Sequence, residues 1–266
     1  MKQILRLLME KSLRNISVKR YLPKTFGNTP LYVSPDAQLK YIKPGKKGFD
    51  EILLNLAERF VHKDDIIWDV GANVGIFSFS AAGRGARVVA VEPDPFLVGL
   101  LRKSISINEN RDLDIKVVPV ALSCKIALET FQIAERGRAS NSLSLAGGRS
   151  QMGGVREEII VPVMTMDSLL ETFPNPKLVK IDVEGAEINV MDGGKKILQK
   201  VRPVFFIEAD IKTRPCITTI FLYHNYALFK DIHSFEAGIE INGVIQLKDT
   251  LCVPREKLDL IRNNLC

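Results

Sequence analysis

The sequence predicts an α/β fold built on a mostly parallel sheet with helices on both faces. Continuous apolar runs of strand length recur along the chain, as IIWDV, RVVAV, IKVVPVAL, LVKI and PVFFIE. Stretches with helical apolar spacing separate them, and four of the five run ends carry carboxylates. Strands buried on both faces that alternate with helices read as a parallel sheet. At 266 residues there is room for one large domain or two small ones. A content of 46% hydrophobic and 26% charged residues can bury a core, which excludes a disordered, collagenous or coiled-coil chain.

Each element follows in order. Residues 1–20 set Ile4, Leu5, Leu7, Leu8, Leu13 and Ile16 near helical spacing among six basic residues, with Glu10 the single acid. They predict a basic amphipathic helix, either lying on an anionic membrane or covering the body. They also hold most of the formal charge of +6, so the remainder is nearly neutral and offers no uniformly basic face for nucleic acid. Residues 21–48, broken by Pro23, Pro30, Pro35 and Pro44, predict a connector with at most a short hairpin. Asp50 caps a helix whose inward face is Ile52, Leu53, Leu56, Ala57 and Phe60.

From Ile66 the pattern turns to strand, loop and helix. IIWDV leads to a helix in IFSFSAAGRG, RVVAVEP leads to a helix over 96–107, and IKVVPVAL forms a third strand. Residues 124–163 break the rhythm. There LETFQI and EEIIVPVM predict two strands around a Gly- and Ser-rich loop, 137–154, poised over a site. LVKIDV, a helix over 185–200 and PVFFIEAD resume it. YALFKDI, IEIN, VIQL and TLCVP then suit closing antiparallel strands.

Cys124, Cys216, Cys252 and Cys266 form no C-x-x-C pair, and His62, His224 and His233 stand apart. Neither a disulfide framework, a zinc cluster nor a histidine-based metal site is legible, two carboxylates such as Asp182 and Glu184 are weak evidence for magnesium, and reduced thiols in the cytoplasm are expected. No uncharged run reaches the ~18 apolar residues of a spanning helix. The first residues lack the apolar core and cleavage site of a signal peptide.

In a doubly wound sheet, ligands bind beyond the carboxyl ends of the strands. The first such tip reads WDVGANVG. Gly71 and Gly75 let the backbone turn and approach a ligand, while Asp69 would repel a pyrophosphate and welcome an ammonium. Glu92, at the second tip, is placed to accept both ribose hydroxyls. Together these tips describe a nucleoside with a cationic amino-acid tail and no phosphate, as in S-adenosyl-L-methionine. In KIDVEGAE, Asp182 ends a strand, and Glu184 and Glu187 stand three apart at a helix start.

At these residues the sequence resembles the FkbM-type family of class I S-adenosylmethionine-dependent methyltransferases. The likeness rests on DVGANVG (69–75), VEP (91–93), PVALS (119–123), SNSLS (140–144), VPVMTMDSLL (161–170), VKIDVEGAE (179–187), FFIE (205–208) and LCVPRE (251–256). MDGGKKIL departs from the family's usual leucine and alanine. The resemblance implies a Rossmann-like, seven-stranded, mostly parallel sheet of order 3-2-1-4-5-7-6, with the last inserted strand antiparallel. The likeness covers about residues 50–256, and the chain is read as an N-terminal extension, 1–48, and a methyltransferase domain, 49–266. The resemblance implies that Asp69, Gly71, Ala72, Asn73 and Gly75 hold the methionine part of the cofactor. Glu92 and Pro93 would take the ribose, and Ala121 and Leu122 the adenine. Asp182 would border the sulfonium.

Asp182 and Glu184 are the candidate catalytic residues, placed to orient an acceptor or take its proton. Ser140, Asn141, Ser142 and Glu208 are the candidate acceptor contacts. The expected reaction is O-methylation of a sugar, glycolipid precursor or secondary metabolite, with a small-molecule or glycan acceptor, no nucleic acid and no metal. Residues 1–20 offer peripheral membrane contact. A nicotinamide-dependent oxidoreductase is the rival enzyme, disfavoured because G-x-G-x-x-G is missing. A non-catalytic module that keeps the cofactor cavity is the rival from another class.

Overall fold

The computed structural model describes residues 13–14, 16–43, 45, 48–135, 137–144, 153–245 and 248–264. A hairpin comes first. β1 (Val18–Tyr21) and β2 (Pro30–Val33) pair antiparallel. Residues 18–20, expected in the basic helix, are therefore strand, and Val18, Tyr21 and the nearby Pro23 favour extended backbone. Residues 1–12 and 15, on which the rest of that expectation falls, lie outside the described residues. Leu22, Phe26, Leu31, Val33 and Tyr41 are buried in the same core as the main sheet.

Helix α1 (Glu51–Phe60) starts at Asp50, whose carboxylate accepts the Ile52 N–H at 3.2 Å. Its buried face is Leu54, Leu56, Ala57 and Phe60. Ile52, expected inward, is exposed because the first turn overhangs a cavity described below. β3 (Ile66–Val70), α2 (Ile76–Ala82), β4 (Arg87–Val91), α3 (Pro95–Ile105) and β5 (Ile115–Val118) follow, the three strands parallel neighbours. IKVVPVAL is not one strand. Pro119 has no N–H for a ladder, and beyond it β6 (Ala121–Leu122) joins a second sheet. That sheet adds β7 (Ala127–Ala134), β8 (Ser142–Leu143) and β9 (Val155–Met164) in the order β6-β9-β7-β8.

The main sheet resumes after α4 (Met166–Leu169) with β10 (Leu178–Ile181). The helix expected over 185–200 is α5 (Glu187–Asp192) followed by a π-helical turn at Ile197–Val201. Gly193 separates them, and here the departure in MDGGKKIL has a steric reason. A Cβ on Gly193 would lie 2.1 Å from the Ser123 carbonyl oxygen. β11 (Val204–Glu208), α6 (Arg214–Tyr223), β12 (Tyr226–Phe229), α7 (Ile232–Glu236), β13 (Asp249–Pro254) and α8 (Leu258–Asn263) complete the fold. IEIN and the described part of VIQL are not strands, and residues 246–247 are outside the described residues.

The strand order is β5-β4-β3-β10-β11-β13-β12, with β13 antiparallel to both neighbours. Counted along the chain this is 3-2-1-4-5-7-6, as the resemblance implies. Successive side chains serve opposite faces. Ile67, Leu178 and Phe206 join α1, α2 and α3 in one core, while Trp68, Val179 and Phe205 join α4, α5 and α6 in the other. Among the described residues no helix is long and apolar enough to cross a membrane.

Candidate active site

Four strand tips build the site at the carboxyl edge of the sheet. The β3 tip turns at Gly71, whose φ of 74° lies in the left-handed region. Its N–H and that of Ala72 both donate to the Val91 carbonyl, at 2.9 and 3.0 Å, tying the turn to β4. Asn73 also has a positive φ, 54°, and its side chain accepts the Val74 N–H at 2.7 Å. Gly75 opens α2.

Asp69 does not reach this turn's ligand side. It is fully buried beneath the loop, where it accepts the Ser78 hydroxyl at 2.6 Å and meets the Lys180 ammonium at 3.1 Å. Lys180 stands directly across from Asp69 in the β3–β10 register and donates to the Gly71 carbonyl at 2.6 Å. The carboxylate expected to attract an ammonium is thus neutralised by a buried lysine and acts through the loop it supports.

At the β4 tip Glu92 is buried and accepts the N–H groups of Asn73 (2.8 Å) and Asp94 (2.9 Å). Burial pushes its carboxyl up to about 7. Glu92 and Pro93 line a cleft of about 570 Å³ with Asn73, Val91, Val120, Ala121, Leu122, Phe131 and Leu143. An acid such as Glu92 beside an apolar wall suits a ribose and a flat base. Glu92→Ala should weaken binding of such a nucleoside by about 1.5–3 kcal/mol, the range for a hydrogen bond to a charged group. The pH dependence has two signs. Affinity should rise as Glu92 ionises through about 7. The group's contribution to folding stability, by contrast, is present below its ordinary 4.5 and is lost as pH rises through about 7. Titration calorimetry and melting curves at several pH values check both, and Glu92→Gln should flatten them.

The β10 and β11 tips supply Asp182, Glu184 and Glu208, whose oxygens lie within 4.8 Å of one another, close enough to share a cation. Lys248 already ion-pairs with Glu208 in this cluster. Burial, then the Glu208 carboxylate, hold the Asp182 carboxyl well above its ordinary range, and its Oδ1 is buried without a hydrogen-bond partner. Glu184 lies in the turn before α5 with a φ of 53°, not on the helix. Glu187 turns inward instead, accepting the Gly185 N–H at 2.7 Å and the Thr213 hydroxyl at 2.9 Å. A second cleft of about 920 Å³ opens here, lined by Glu208, Lys180 and Asp249 and by Lys40, Tyr41 and Asp50 from the N-terminal side. Asn73, Ala139, Asp182 and Glu184 line both clefts.

The serine-rich loop is used differently from expectation. Asn141 lines the first cleft, not the second. Its side chain donates to Asp94 at 2.7 Å and accepts the Ala134 N–H at 2.8 Å. Ser142 is buried in β8, and Ser140 and Ser142 line neither cleft. Residues 145–152 of the loop are outside the described residues. Sequence reasoning missed Arg138, which grips both Asp94 oxygens at 2.8 and 2.7 Å and Asp36 at 2.9 Å while lining the first cleft. Its partners are far along the chain, so no local spacing signals it. It missed Lys180 as well, though a lysine inside a doubly buried strand needs a carboxylate partner.

The residues present fit S-adenosyl-L-methionine. Glu92 and the apolar wall match a nucleoside, Arg138, itself doubly paired, is the one cationic side chain among the described residues that line the first cleft, and the orphaned Asp182 Oδ1 stands where the clefts meet.

Over 159 residues, 59% of this chain and 59% of the relative, the sequence is 28% identical to the hexuronic acid methyltransferase AglP of Haloferax volcanii. Over 64 residues, 24% of this chain and 25% of the other, it is 34% identical to the uncharacterized protein MJ1452 of Methanocaldococcus jannaschii. The chain therefore spans less than two thirds of the length of either relative. Among solved structures, a methyltransferase FkbM from Methylobacillus flagellatus is similar at 14% identity, covering 94% of this chain and 58% of that one, with a TM-score of 0.48. A precorrin-6y C5,15-methyltransferase from Geobacter metallireducens is similar at 13%, covering 76% and 85%, with a TM-score of 0.43. The methyltransferase FkbM domain, a family whose methyl donor is S-adenosyl-L-methionine, matches residues 69–235, more than half of the chain, and the chain belongs to that family.

Proposed function

We propose that the protein is an S-adenosyl-L-methionine-dependent methyltransferase acting on a hydroxyl oxygen of a sugar or similar polyol. The observation that carries this reading is the meeting of an apolar-walled cleft and a polar cleft at Asp182 and Glu184. Glu92 would hold the ribose, and the backbone near Ala121 and Leu122 the adenine. Asn73 and Glu184 would hold the amino-acid tail, and Asp182 would border the sulfonium. When bound, the cofactor supplies a methyl group already activated by its sulfonium charge. The chain's own task is to align the acceptor and exclude water. Asp182, with its raised affinity for a proton, is placed to accept the one released by the acceptor hydroxyl. Lys40, Asp50, Glu208 and Lys248 offer the donors and acceptors that a polyol requires. The hexuronic acid methyltransferase relative supports a sugar-like acceptor. The exposed thiols of Cys124 and Cys216 suit a reducing, cytoplasmic setting.

Titration calorimetry with S-adenosyl-L-methionine should show saturable binding, and no heat even at about millimolar ligand would overturn the reading. Transfer of labelled methyl from the cofactor to hexoses, hexuronic acids and alkyl glycosides tests the acceptor. Cofactor binding with no label in any of these fractions would favour the non-catalytic module.

A further inference from the structure

Two acids stand two residues apart at the β4 tip, and they are used differently. Glu92 lines the first cleft, whereas Asp94 is fully buried and lines neither cleft. The two are joined through the backbone. The Asp94 N–H donates to Glu92 Oε1 at 2.9 Å, while the Asn73 N–H donates to Oε2 at 2.8 Å. Where Asp94 sits therefore helps to set where the Glu92 carboxylate points.

Asp94 is itself gripped by the segment that leads into β8. Arg138 Nη1 donates to both its oxygens, at 2.8 and 2.7 Å, and Asn141 Nδ2 donates to Oδ2 at 2.7 Å. The Phe96 N–H, in the first turn of α3, donates to Oδ1 at 2.8 Å. The Arg138 guanidinium also lies over the Phe96 ring, 4.5 Å from its centroid. Its other end is braced as firmly. Arg138 Nε donates to Asp36 Oδ2 at 2.9 Å, and Arg156 holds the same carboxylate through Nη1 and Nη2, at 3.0 and 3.2 Å. The Arg138 backbone N–H donates to the Asp36 carbonyl at 2.8 Å. Two carboxylates and two guanidiniums thus offset one another where water is largely excluded, the condition under which buried charges persist.

This cluster bears on the charge that Glu92 feels. Lys180, from β10, favours its ionised form, and the Asp94 carboxylate opposes it. Arg138, in contact with Asp94, offsets that repulsion. Without the guanidinium, the Phe96 and Asn141 donors would still hold Asp94 ionised, and its charge would act on Glu92 in full.

We propose that Arg138 is a positioning residue for Glu92, acting on the ribose-holding acid through Asp94. The inference rests on the S-adenosyl-L-methionine reading above and extends it to a loop residue with no motif of its own.

Titration calorimetry of full-chain variants with S-adenosyl-L-methionine, across the pH range around 7, tests it. The ligand's own titration is common to every variant, so differences between variants belong to the protein. Arg138→Gln should weaken binding about tenfold at neutral pH and move the midpoint of the pH dependence up by about one unit. R138K keeps the charge, so its midpoint should stay at the wild-type value even where affinity falls. Asp94→Asn keeps the helix cap and the N–H to Glu92 but removes the opposing charge, so its midpoint should fall. That variant leaves Arg138 on Asp36 and carries the test even where Arg138→Gln does not fold. A midpoint unchanged in either folded variant overturns the inference, and so does a shift that persists in the Glu92→Gln background. Absence of binding by the wild type would overturn the earlier reading, and this inference with it.

Discussion

Gly71→Ala should cost about 3 kcal/mol or more of folding stability and abolish measurable cofactor binding. The added Cβ would lie 1.9 Å from the Asp182 carbonyl oxygen, backbone against side chain with no flexible end to yield. Its φ of 74° adds strain that a glycine does not feel. Relief would require the β3 and β10 tips to part. That would draw Asn73 away from Glu92 and the Gly71 carbonyl away from Lys180. Urea denaturation reads the first effect and calorimetry the second. A variant with wild-type midpoint and affinity would show that the two tips separate without cost.

The second large effect is on turnover. Asp182→Asn keeps the shape of the side chain and removes its capacity to take a proton, so kcat should fall by about 10²–10⁴ with little change in cofactor affinity. Stability should move the other way. Burial and the Glu208 carboxylate disfavour the ionised form, so a neutral amide should leave the melting temperature unchanged or raised. An unchanged kcat would remove Asp182 from the chemistry. An equal loss in affinity and turnover would make it a binding residue.

Much of this architecture was legible because strand and helix periodicities alternate cleanly from Ile66 onward, and because the tips end in residues with few structural uses. What was not legible depended on groups meeting across the fold. Asp69 reads as a ligand for a cation until Lys180 is seen beside it, and only the parallel register of β3 and β10 brings them together. Asn141 and Ser142 read as loop polar groups, yet the β7–β8 turn buries them. Ile52 fits a helical stripe, but the stripe runs past the end of the surface it covers. Tyr41 and Lys40 reach the second cleft from a proline-broken segment that carries no motif.

The matched family region covers residues 69–235, whereas the second cleft takes walls from both sides of it. Gln38, Lys40, Tyr41, Asp50, Ile52 and Leu53 come before, and Lys248 and Asp249 come after. On the proposed reading, donor handling sits within the shared stretch and acceptor choice is shared with the flanks. The two can then diverge at different rates, with paralogues inheriting one reagent and trading substrates by rewriting short border segments. Grafting residues 38–53 together with 248–249 between two relatives should carry a preference across while leaving the common donor chemistry where it was.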